Sequence, residues 1–118
     1  MNRIAIVQGI FFFLTGVWPL VSIGTFQAVT GPKTDLWLVK TVGILIAVIG
    51  LVLAAAGFRD NVTAEIVFLA VGSSASLMTV DVVYSLKGII SKIYLADAIL
   101  ELIIIAAWVI AIFGSLLF

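Results

Sequence analysis

Four long apolar stretches separated by three short polar breaks organise this chain. The stretches run from about Ile4 to Ala28, Leu36 to Gly57, Val62 to Leu86 and Ile93 to Phe118. Each has at least 20 residues, enough for an α-helix to cross roughly 30 Å of hydrocarbon at about 1.5 Å per residue. The breaks centre on Gly31-Pro32-Lys33, Arg59-Asp60-Asn61 and Lys87-Gly88, which are turn formers and charges. Connections this short make successive helices antiparallel. The pattern predicts an all-α integral membrane protein: one domain, residues 1–118, folded as an up-down-up-down four-helix bundle. The run that follows Arg3 is too long for the core of a signal peptide and reads as the first span.

Composition agrees. The chain is 64% hydrophobic and 10% charged, whereas a soluble domain is about half apolar and about a quarter charged. Lipid must cover the surplus. Net charge is zero and no basic patch exists, so no nucleic-acid partner is expected. Cysteine and histidine are absent. That excludes disulfides, thiol nucleophiles, thiolate zinc sites, histidine-ligated haem and an imidazole base. No cofactor is implied, and any metal would need oxygen ligands alone.

Small residues on the second span form a seam. Gly43, Ala47, Gly50, Ala54 and Gly57 follow at spacings of four, three, four and three, the heptad spacing of a left-handed helix pair. In lipid such a seam lets backbones approach closely. It predicts packing within the bundle, against Gly9 and Gly16 of the first span, or a homo-oligomer interface.

Ionisable side chains inside spans are costly and mark partners or cavities. Here they gather in the half of the bundle that holds the first and third loops. Asp97 and Glu101 are four apart and share a helix face with Tyr94; Asp81 and Tyr84 share another, with Ser74 one heptad before Asp81. Trp37, Lys40 and Thr41 form a polar stripe on the second span, and Gln8, Thr15, Trp18 and Ser22 one on the first. In lipid each stripe is expected to point inward. Pro19 frees the carbonyl of Thr15 and bends the first span, at a depth comparable with that of Glu101. Trp18, Trp37, Lys40, Asp81, Tyr84, Tyr94, Asp97 and Glu101 are therefore the candidate ligand-binding residues, and the other half of the bundle reads as hydrocarbon filler. A buried ion-pair network of Lys40 with Asp81 or Asp97 is the structural alternative. Asn61-Val62-Thr63 matches a glycosylation acceptor but abuts a span, and no role is assigned to it.

An even number of spans puts both termini on one face. The opposite face carries Lys33, Lys40, Lys87 and Lys92 against Arg3 and Arg59. The positive-inside rule places that Lys-rich face in the cytoplasm and the termini in the periplasm.

The segments Thr15-Gly16-Val17-Trp18-Pro19-Leu20, Val29-Thr30-Gly31-Pro32-Lys33-Thr34-Asp35, Asp81-Val82-Val83-Tyr84 and Tyr94-Leu95-Ala96-Asp97-Ala98, ending at Glu101, together resemble a group of small, uncharacterised four-span bacterial membrane proteins. The layout is also loosely similar to that of DoxX-like proteins. The resemblance implies a bacterial inner-membrane location and the four-span fold; it implies no activity.

Three functions fit these residues. The first is a binding protein that holds a small amphiphilic or lipid-like ligand between helices, with aromatic walls and charges that orient a polar head. The second is a proton- or cation-coupled transporter or channel subunit, working as an oligomer. The third is an enzyme in which Asp81, Asp97 and Glu101 hold a divalent metal. Membrane lipid is the one partner all three share.

Overall fold

The computed structural model describes the backbone of residues 1–117, and side chains through Gly114. Phe118, at the end of the predicted fourth span, lies outside the described residues. The helices are α1 (Asn2–Val21), α2 (Ile23–Thr30), α3 (Leu36–Phe58), α4 (Ala64–Leu86) and α5 (Tyr94–Leu117). Four of them, α1, α3, α4 and α5, are long and apolar enough to cross a membrane. The chain is a multi-pass, all-helical membrane bundle.

The first predicted span is not one continuous helix. It breaks at Ser22, where φ is −144° and ψ is 81°, three residues after Pro19. Proline donates no hydrogen bond to Thr15, so the last turn of α1 is weakened from within. Side chains then hold the joint. Thr25 Oγ1 donates to Ser22, whose Oγ lies 2.7 Å away, and accepts from the Trp18 indole at 3.0 Å.

The bundle is built from two antiparallel pairs: α1 lies along α3, and α4 along α5. The α1–α3 pair is the tighter, and the small-residue seam makes it so. A Cβ added at Gly50 would stand 2.5 Å from the Gly9 carbonyl oxygen and 2.5 Å from the Phe13 nitrogen. No real side chain fits there, so the two backbones touch directly. The seam is thus filled by α1 of the same chain, and a homo-oligomer would have to use another face.

The two pairs meet in the half that carries the termini. Ala5, Leu53, Ala70 and Trp108, one from each spanning helix, form the buried apolar core, with Ile49, Ile66 and Ile104 packed round it. This half is the packed centre of the fold rather than filler. The outward surfaces of α3 and α5 present Leu45, Val48, Leu51, Ile103 and Ile110, apolar side chains suited to a lipid surround.

The α3–α4 turn is short and strained. Asp60 adopts a positive φ of 53°, and Asn2 donates from its amide to the Asp60 carboxylate. Thr63 caps α4 by accepting from the Ile66 amide at 3.3 Å, which gives the Asn-x-Thr motif a structural use.

Candidate functional site

A single stripe of buried residues runs along α4: Ala70, Ser74, Asp81 and Ser85. It faces a matching stripe on α5, where Ala98, Glu101 and Trp108 are buried. Helical geometry sets both. Ser74 to Asp81 spans seven residues, as does Glu101 to Trp108, and each interval returns to the same face after two turns.

The stripe has two polar parts. The deeper part centres on Gln8 of α1. Its amide nitrogen donates to the Ala70 carbonyl and to Ser74 Oγ, both at 3.0 Å. Its carbonyl oxygen accepts from the Trp108 indole N–H at 2.7 Å. Gln8 thereby joins α1 to α4 and α5, and its amide nitrogen, its carbonyl oxygen and the Trp108 N–H all have partners.

The second part lies nearer the loops and is left open. Asp81 is within hydrogen-bonding reach of Asp97 and in the field of Glu101. Glu101 stands beside the Ser74 hydroxyl. Because Gln8 already donates to Ser74 Oγ, the hydroxyl hydrogen of Ser74 is free to face Glu101. Asp81 is 5% exposed and Glu101 1%, yet Asp81 Oδ2 and Glu101 Oε2 have no hydrogen-bond partner. Asp97 is half-buried and connects the pair to the surface. Glu101 lies seven residues past the start of α5, roughly 10 Å along the axis at about 1.5 Å per residue. Carboxyl oxygens at that depth without a donor cost several kcal/mol unless something positive or a proton meets them.

The other expected residues divide. Tyr94 begins α5 on the face of Asp97, and Tyr84 is 41% exposed with the Lys87 ammonium 5.9 Å above its ring. Trp18 is bound to the joint between α1 and α2 and meets Phe26 edge-on at 5.3 Å. Trp37 and Lys40 do not join the cluster. Both are exposed, and Trp37 is 67% so. The Gly43–Ala47–Gly50 seam already claims the inward face of α3. Trp37, Lys40 and Thr41 lie roughly 120°, 60° and 160° round from Gly43 at about 100° per residue, so their stripe turns outward. Lys40 sits one turn inside α3, where a stem of that length can reach the interface. The structural alternative, a network of Lys40 with Asp81 or Asp97, is not formed, and the neighbours of Asp81 and Glu101 are each other, Asp97 and the Ser74 hydroxyl.

Among the described residues, no group of three or more His, Cys, Asp or Glu side chains is arranged to hold a metal ion. A pocket of about 540 Å³ opens on the terminal face, lined by residues that include Arg3, Gly57 and Asp60; it shares no residue with the carboxyl cluster.

Sequence reasoning missed Trp108, Phe26 and Lys33. Trp108 was within reach, since it falls one heptad after Glu101 and a buried indole N–H needs an acceptor. Phe26 and Lys33 meet because the loop after α2 folds Lys33 back over the end of that helix, which no periodicity announces. Compared with protein-family models, curated proteins and solved structures, the chain matches none. Its function has to be read from its own residues.

Proposed function

We propose that this membrane protein binds a small amphiphile with a positively charged head, seated on Asp81, Asp97 and Glu101 between α4 and α5. The observation that carries this reading is the pair of buried, unpartnered oxygens, Asp81 Oδ2 and Glu101 Oε2. Three acids share one helix interface, and the neighbours of Asp81 and Glu101 there are one another, Asp97 and the Ser74 hydroxyl, with no cation among them. A ligand cation supplies the missing charge, and its apolar tail lies along the lipid-facing side of the helices. Asp97, half-buried at the loop end, leads the head inward. On the count of basic residues, the cluster lies on the cytoplasmic side of a bacterial inner membrane, with the termini periplasmic.

The test is a charge-matched pair of probes, dodecylammonium and dodecanoate, titrated into the protein in neutral detergent. Dodecylammonium binds at least roughly tenfold more tightly, a difference of about 1.4 kcal/mol, and the preference disappears in Asp97→Asn and Glu101→Gln. Equal binding of both probes rules the reading out.

The depth of Glu101 favours a second reading, coupled transport of protons or cations, since acids at membrane depth line such pathways. Cation flux into liposomes that is abolished by Glu101→Gln separates it from simple binding.

A further inference from the structure

Lys33, in the loop between α2 and α3, does not point its charge at the acids. Its ammonium donates to the backbone carbonyls of Thr30 and Gly31, each at 3.0 Å. The same nitrogen stands 5.1 Å from the centre of the Tyr94 ring and 5.9 Å from that of Phe26. Both distances lie within the roughly 6 Å range of a cation–π contact. The seat is built into the fold. Phe26 is held by the edge of Trp18, the carbonyls are the free C-terminal end of α2, and the Lys33 amide is tied to Gln27 Oε1 at 3.0 Å. Tyr94 precedes Asp97 by three residues, one turn along the same face.

We infer, resting on the carboxyl-cluster reading above, that Phe26, Tyr94 and the Thr30 and Gly31 carbonyls form an outer subsite for the ligand's ammonium. Lys33 is its tethered competitor. An arriving head displaces the Lys33 ammonium from the aromatic seat and then passes one turn inward to Asp97. The seat distinguishes kinds of cation. A primary ammonium has hydrogens for both carbonyls, whereas a quaternary head can use only the rings. A tethered cation acts at an effective concentration on the order of millimolar, so it sets a threshold that only a well-matched head overcomes.

The experiment compares the affinity of dodecylammonium and dodecyltrimethylammonium for the wild type, Lys33→Met, Tyr94→Leu and Tyr94→Phe. Methionine keeps the apolar stem and removes the charge. Lys33→Met is expected to bind dodecylammonium roughly threefold or more tightly, because the competent fraction rises. Tyr94→Leu binds it more weakly, Tyr94→Phe matches the wild type, and the wild type prefers the primary over the quaternary head. Lys33→Met also loosens the end of α2, but Tyr94→Leu leaves that cap intact, so the two variants fail for different reasons. Wild-type binding that neither Lys33→Met nor Tyr94→Leu alters overturns the subsite and leaves the carboxyl cluster standing. No wild-type binding of dodecylammonium brings down the cluster reading itself.

Discussion

Trp108 and Gln8, 100 residues apart in sequence, share a hydrogen bond of 2.7 Å at the centre of the bundle. Both side chains are almost wholly buried. The bond consumes the one polar atom of a large indole and half the capacity of an amide whose other half is tied to α4. It is the polar clamp that joins the α1–α3 pair to the α4–α5 pair.

Cutting the clamp from one side strands the other. Gln8→Leu leaves the Trp108 N–H without an acceptor and is expected to cost about 1–3 kcal/mol. Trp108→Phe loses packing and leaves Gln8 Oε1 unpaired. The double variant costs less than the sum, since neither group is then orphaned. Thermal unfolding followed by circular dichroism, in one detergent for all three proteins, gives the comparison. Strict additivity would mean that the bond carries no coupling.

The seam makes a sharper contrast among glycines. Gly16 and Gly50 face backbone atoms across the α1–α3 crossing, whereas Gly72 and Gly114 have open space where a Cβ would go. Gly16→Ala or Gly50→Ala is expected to destabilise by about 1–3 kcal/mol through overpacking. Gly72→Ala and Gly114→Ala are expected to be neutral or to stabilise by up to about 1 kcal/mol, because alanine is the better helix former. Similar melting temperatures for all four variants would contradict the crossing.

What was legible in the sequence follows from length and period. Four spans, the loops and the seam needed only apolar run length and the spacing of small residues, and lipid admits few other folds. Asp81, Asp97 and Glu101 were legible for the same reason, since an acid inside a span has few places to face. Trp37 and Lys40 went astray because α3 carries two stripes and only one can face inward. Gly43, Ala47 and Gly50 occupy that face, and the angular conflict was present in the sequence. The break at Ser22 was not, because Pro19 predicts a bend but not where the chain turns. Nor was the seat of Lys33, which depends on how the loop after α2 folds back on that helix.

That break carries its own prediction. Thr25 joins Ser22 to Trp18 through one hydroxyl, so Thr25→Val removes both connections at once. Amide hydrogen exchange across residues 23–30 is expected to speed up, while α3, α4 and α5 stay as protected as before. Trp18→Phe removes only the indole bond and is expected to have the smaller effect. Wild-type protection of α2 in Thr25→Val would show that the joint is held by the backbone instead.

The cluster itself sets stability against function. Asp81 Oδ2 and Glu101 Oε2 are buried without a donor, and a third acid, Asp97, stands beside them. Asp81→Asn and Glu101→Gln keep the shape of each side chain and replace an acceptor oxygen with an N–H₂ group that can donate to the remaining carboxyl. Each is expected to stabilise the bundle by about 1–2 kcal/mol, since a buried acceptor without a donor is removed and a hydrogen bond is gained. Asp35→Asn, at an exposed position ahead of α3, is the control and is expected to leave the melting temperature unchanged. The two cluster variants should also lose dodecylammonium binding, because the group that attracts the cation is the group that strains the fold. Gain of stability with loss of binding is the mark of a site held under strain for a ligand. Destabilisation by both amides would instead make the carboxyl groups structural and remove the basis for a cation site.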